Sequence, residues 1–218
     1  MKLLTPSKKQ LESAISLYSN GKINEAIDAI NALIESHPEN PLLFNILGAC
    51  FKKLGEIDTA AKMFNTAVTL KPDYAEAHFN HAIALNETGK TDLSTESYKK
   101  ALTILPNYPD AHNNLGSWYY QLGNFTNATL SFTNAIKIKP DFAEAHFNLG
   151  INYKELGQLQ DSKSCYEEAI SLKPNYINAY INMGIVMTAL KSHNDAFFAF
   201  NKAYELNSEI EFIFGDIF

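Results

Sequence analysis

Three histidines, His78, His112 and His146, stand thirty-four residues apart, and imidazoles at a regular interval invite a metal-binding reading. The interval argues against a shared ion. Neighbouring helices pack about 8–10 Å apart, whereas nitrogens sharing a zinc must come within roughly 4 Å of each other. His81 makes an i, i+3 pair with His78, but no third ligand follows at a suitable spacing. The histidines are therefore expected to fill a packing slot, and no metal or other cofactor is expected. Cys50 and Cys165 lie more than three such intervals apart and are not expected to bridge within one chain. No glycine-rich phosphate loop, nucleophile elbow or pair of catalytic carboxylates is present, so no active site is expected. The more suggestive column is Asn80, Asn114, Asn148 and Asn182. A carboxamide carries both a donor and an acceptor, so it can pair with the N–H and C=O of a peptide bond whatever the side chain.

The shared interval comes from the construction of the chain. Lys71-Pro-Asp-Tyr-Ala-Glu-Ala-His-Phe-Asn80 returns as Lys139-Pro-Asp-Phe-Ala-Glu-Ala-His-Phe-Asn148, with Tyr74 becoming Phe142 as the single change. Halfway between lies a looser copy, Leu105-Pro-Asn-Tyr-Pro-Asp-Ala-His-Asn-Asn114. The unit is thirty-four residues long, and a fixed period of this size marks a stacked repeat array.

At this period Gly21, Gly55, Gly89, Gly123 and Gly157 fall in one column and Pro38, Pro72, Pro106, Pro140 and Pro174 in another, with Lys191 and Ser208 in the sixth row. Glycine closes a helix by entering the left-handed region, and proline is tolerated at a helix start but not inside one. Two punctuation marks per row predict two helices per row, in the second row Pro41 to Lys53 and Ile57 to Leu70. Small residues, Gly48, Ala60 and Ala67 in that row, are expected to sit where the helices approach, facing Phe44, Leu47, Phe51 and Phe64. Gly116, with Ala128 and Ala135, and Gly150, with Ala169, should do the same.

The pattern Leu-Gly, aromatic, Ala, aromatic, Ala, Pro resembles the tetratricopeptide repeat. Six rows, 7–40, 41–74, 75–108, 109–142, 143–176 and 177–210, cover nearly the whole chain after a short extension at 1–6. The first row departs from the pattern at Gln10 and Ser13, as terminal repeats tend to. The resemblance implies an all-α fold, a right-handed superhelical α-solenoid of helix-turn-helix units whose first helices line a concave groove. It therefore implies a protein or peptide partner. Asn80, Asn114, Asn148 and Asn182 would point into that groove, with Asn45, Asn113, Lys52 and Lys154 completing the expected lining. Two readings of the asparagines stand side by side: they hold an extended peptide by its backbone, or they bond locally and order adjacent units. The Lys/Arg clamp by which some members of the family grip acidic tails is missing, because its positions hold Asn45, Phe79, Asn113, Phe147 and Ile181. Glu76, Asp110 and Glu144 would disfavour an acidic tail, unless they merely complement helix starts. Phe79 and Phe147 are expected to pack.

Composition limits the partners further. The net charge is −6 over 218 residues, with no basic stripe to release counterions from a nucleic acid and no run of about eighteen apolar residues to span a membrane. Met1-Lys-Leu-Leu4 is too short for a signal h-region, so a cytoplasmic location is expected. Residues 211–218 read as the start of a further helix leading into another domain. Phe214-Gly-Asp-Ile-Phe218 resembles the junction where bacterial O-linked N-acetylglucosamine transferase-like proteins of the SPINDLY group pass from repeats into a glycosyltransferase domain. That resemblance implies a substrate-recognition arm of such an enzyme. The alternatives are a free-standing adaptor, an arm of another enzyme such as a sulfotransferase or methyltransferase, or an array that self-associates through its Phe-rich C-terminal end.

Overall fold

A computed structural model describes residues 6–207. Among them every regular element is an α-helix, and none is long and apolar enough to cross a membrane. The expected further helix at 211–218, and all but the last residue of the extension at 1–6, lie outside the described residues.

The chain forms two compact units, 1–106 and 107–218. The first contains α1 (Lys8–Ser19), α2 (Ile23–Ser36), α3 (Pro41–Lys53), α4 (Ile57–Leu70), α5 (Ala75–Glu87) and α6 (Thr91–Ile104). The second contains α7 (Pro109–Gln121), α8 (Phe125–Ile138), α9 (Ala143–Glu155), α10 (Leu159–Leu172), α11 (Ile177–Ala189) and α12 (His193–Leu206). The second-row helices have the bounds that the punctuation predicts.

Helix ends follow from backbone chemistry. The turn inside each pair is closed by a residue in the left-handed region, for example Gly55 at φ 80°. There Glu56 N donates to Phe51 O at 3.0 Å and Gly55 N to Lys52 O at 3.0 Å, satisfying carbonyls that the helix end would otherwise orphan. Lys191 holds the same place in the last pair at φ 61° and makes the equivalent bond, Ser192 N to Met187 O at 2.9 Å. The turn geometry therefore prevails over the side chain's preference. The departure at Gln10 also has a local role. Ser7 N donates to Gln10 Oε1 at 3.0 Å and Gln10 N to Ser7 Oγ at 3.3 Å, a reciprocal cap on the first helix.

Within a pair, glycine on the first helix meets an aromatic ring on the second. A Cβ on Gly48 would stand 2.6 Å from Phe64, on Gly116 2.7 Å from Phe132, on Gly150 2.7 Å from Tyr166 and on Gly184 2.6 Å from Phe200. In the third row Ala82 stands at the glycine position and Tyr98 at the aromatic one, and both are buried. Two buried serines add polar ties between the paired helices: Ser94 Oγ donates to Ala82 O at 2.9 Å and Ser162 Oγ to Gly150 O at 2.7 Å.

Between pairs of the same unit, α2 packs on α3, α4 on α5, α8 on α9 and α10 on α11, and first helices also touch one another directly, α3 with α5, α7 with α9 and α9 with α11. Those first-helix contacts create the surface on which the asparagine columns lie.

Candidate peptide-binding groove

Asn45 on α3 is 3% exposed, and its carboxamide is engaged on both sides. Its Nδ2 donates to Tyr74 Oη at 3.3 Å and to Glu76 Oε1 at 3.4 Å, and its Oδ1 accepts from Asn80 Nδ2 at 3.0 Å. Because a carboxylate can only accept, Glu76 fixes which end of the Asn45 amide faces it, and that in turn aims Oδ1 at Asn80. The second unit repeats the bond, with Asn148 Nδ2 donating to Asn113 Oδ1 at 3.0 Å. Asn113 is 2% exposed. Phe142 stands where the first unit has Tyr74, so the hydroxyl partner is missing from this copy.

The four-asparagine column is thus not uniform. Asn80 and Asn148 pair with an asparagine thirty-five residues earlier, whereas thirty-five residues before Asn114 and Asn182 stand Phe79 and Phe147, which have no carboxamide. Asn182 Nδ2 instead donates to Asn178 O of its own helix at 2.9 Å, and Asn114 is half-buried. Asn45 and Asn113 are buried beneath their asparagine partners. The bond between neighbouring first helices and the edge of an open hollow are combined in Asn80 and Asn148.

Open hollows lie along the first helices. One of about 370 Å³ is bounded by Ile15, Leu42, Ile46, Ala49, Glu76 and Asn80, with Tyr18 and Asn45. A second of about 330 Å³ lies between Tyr18, Lys52, Lys53, Phe64 and Asn80. In the other unit a hollow of about 180 Å³ is bounded by Ser117, Tyr120, Phe132, Asn148 and Ile151. Asn80 or Asn148 borders every one of them.

The two lysines expected in the lining are held by carboxylates. Lys52 Nζ lies 3.3 Å from Glu87 Oε1, and Lys154 Nζ lies 3.8 Å from Glu155 Oε1. Lys53 Nζ sits over the Tyr18 ring, 4.9 Å from its centroid.

The histidines serve the turns. His78 Nε2 lies 3.0 Å from Pro72 O and His146 Nε2 2.9 Å from Pro140 O, tying each first helix to the proline column six residues earlier. Among the described residues no three His, Cys, Asp or Glu side chains gather to hold an ion. Both cysteines are free. Burial pushes the Cys50 thiol up, and burial together with Asp161 pushes Cys165 up to about 12, so neither is a ready thiolate. Phe147 packs as expected, with its ring centroid 5.8 Å from that of Tyr166 and 4.8 Å from that of Tyr176. Sequence reasoning passed over Asn152, which is 0% exposed and donates to Phe125 O at 3.1 Å and Thr129 Oγ1 at 2.7 Å. Its position in the repeat varies from row to row, so periodicity carries no sign of it.

Profiles of the tetratricopeptide repeat match 11–51, 43–74 and 143–176, and a TPR repeat profile matches 82–123 and 116–157. The chain is a tetratricopeptide repeat protein. Curated relatives share short stretches with this repeat array. Anaphase-promoting complex subunit 3 of Dictyostelium discoideum is 37% identical over 59 residues, 27% of this chain and 6% of its own length. The peroxisomal targeting signal receptor of Kluyveromyces lactis is 29% identical over 75 residues, 34% of this chain and 13% of its own. The match thus spans a small fraction of those relatives. Among solved structures, YrrB, described as a TPR protein with an unusual peptide-binding site, aligns with a TM-score of 0.69 at 18% identity over 84% of this chain and 94% of its own. MamA from Desulfovibrio magneticus RS-1 gives 0.71 at 20% identity over 79% and 97%. At these identities the likeness shows the fold, an α-solenoid of helix-turn-helix repeats.

Proposed function

We propose that this repeat protein is an interaction scaffold that holds an extended peptide along its first helices. The observation that carries the reading is the state of Asn80 and Asn148. Each spends one N–H on the preceding asparagine and borders an open hollow. The carboxamide of each retains a carbonyl oxygen and a second N–H, the complement of a peptide group. The names of two similar proteins, a targeting-signal receptor and a TPR protein with a peptide-binding site, agree with this reading.

The test is capture of peptides from a random decapeptide library by the intact chain, followed by anisotropy titration of the retained sequences. Asn80→Ala combined with Asn148→Ala should weaken binding about tenfold, the loss of roughly one net hydrogen bond, when affinity is counted per folded molecule. Unchanged affinity in that variant would overturn the groove as the binding surface.

A narrower reading is that the scaffold presents protein substrates to an O-linked N-acetylglucosamine transferase-like domain. It is supported by the asparagine columns alone, since Phe214–Phe218 lie outside the described residues. Reading the gene beyond Phe218 tests it, and a different catalytic domain there, or none, would remove it. A cytoplasmic location is part of the same proposal, as is self-association through the C-terminal end, which light scattering over a dilution series tests.

A further inference from the structure

The hollow of the first unit differs in chemistry from the rest of the groove. Its walls are Ile15, Leu42, Ile46 and Ala49, and its polar edge is Glu76 and Asn80. Sixty-eight residues on, the positions of Leu42, Ile46 and Ala49 are held by Asp110, Asn114 and Ser117, so the apolar wall belongs to the first unit alone.

The hydrogen-bond chain decides what the polar edge offers. Glu76 takes one N–H of Asn45 on Oε1, and Asn45 in turn commits an N–H of Asn80 to itself. The Asn80 carbonyl oxygen and the second carboxylate oxygen of Glu76 are left as acceptors at the rim. Among the described residues Glu76 joins no ion pair. The nearby cations are spent elsewhere, Lys52 on Glu87 and Lys53 on the Tyr18 ring. An apolar hollow of about 370 Å³ edged by acceptors and one carboxylate that no cation pairs complements a long aliphatic stem that ends in a cation.

We infer that the first-unit hollow is a side-chain subsite for lysine in the bound peptide, with the methylene stem against Ile15 and Ile46 and the ammonium at Glu76 and the Asn80 carbonyl oxygen. This rests on the extended-peptide reading and adds a preference to it: the groove selects a basic residue at one position.

The test uses acetylated, amidated, fluorescein-labelled decapeptide pools in which one position is fixed as lysine, norleucine or glutamate and the others are randomised, scanned across all positions against the intact chain. At one position the lysine pool should bind about tenfold more tightly than the norleucine pool, and the glutamate pool most weakly. Glu76→Gln should reduce the lysine preference to below about twofold, with the loss of affinity falling on the lysine pool far more than on the norleucine pool. Glu144→Gln, at the matching position of the second unit, should leave the preference intact. Melting curves of both variants check that the fold is kept. Pools that bind with no lysine preference, or a preference that survives Glu76→Gln, would overturn the subsite while leaving the groove reading in place. If no pool binds, both fall.

Discussion

Asn80 Nδ2 donates to Asn45 Oδ1 at 3.0 Å, joining the first helices of two successive repeats through a pair of carboxamides that is repeated by Asn148 and Asn113. The bond makes one residue do two things, since Asn80 both registers α5 on α3 and borders an open hollow. Its energetic weight can be measured by a double-mutant cycle. Asn45→Ala, which strips a buried group of three bonds, should cost about 1–3 kcal/mol. Asn80→Ala should cost less, and the coupling between them should be about 0.5–1.5 kcal/mol by urea unfolding. Strict additivity would mean that the pair contributes nothing to stability.

Asn114→Ala and Asn148→Ala should behave differently, although the two asparagines look equivalent in the repeat. Asn148 loses its bond to Asn113, and about 1 kcal/mol of stability should go with it. Asn114 stands thirty-five residues after Phe79, and its substitution should stay within about 0.5 kcal/mol of the parent. The chemical denaturation midpoints of the two variants, compared at a common m-value, check this.

Gly150→Leu drives a side chain into the Tyr166 ring, which already lies 2.7 Å from the place of a Cβ. Overpacking of this kind costs about 1–3 kcal/mol, and the urea midpoint should fall accordingly. Gly150→Ala should be milder, because Ala82 occupies the same position of the third repeat within a packed pair.

Lys191→Gly should be stabilising. Lys191 sits at φ 61° where the other five repeats have glycine, and a left-handed L-residue costs about 1–2 kcal/mol. Part of that is offset by the greater entropy of glycine in the unfolded chain, so a net gain of about 0.5–1 kcal/mol is expected. The thermal midpoint measures it, and a midpoint that drops would refute the strain.

His81 supplies a pH dependence. Burial, aided by His78, Lys90 and Lys100, lowers its pKa from 6.5 to about 4, and Ser97 Oγ lies 3.4 Å from its Nδ1. The folded state therefore favours the neutral ring, while the unfolded chain takes up the proton first. The contribution is fully present above about pH 6.5 and is lost as the pH falls from there through 4. Between pH 7.5 and pH 4 the urea midpoint of the parent should fall further than that of His81→Gln. Parallel curves would assign the acid sensitivity to other groups.

The repeat period, the bounds of α3 and α4 and the contact of Gly48 with Phe64 could all be read from the chain, because each follows from local rules. A glycine turn, a proline at a helix start and a 3.6-residue apolar stripe act over a few neighbours, and repetition makes them visible several times over. Periodicity also put His78 and His146 in one column, but not their bond to Pro72 and Pro140, which depends on how the inter-repeat turn folds back on the helix. The asparagine column was legible as a set of positions, while its division into paired and unpaired members was not. That division arises because residue 45 meets residue 80, and residue 113 meets residue 148, only once the first helices lie side by side in register. Side-chain type is written along the chain, whereas a hydrogen bond between residues thirty-five apart exists only after packing has set their distance and direction.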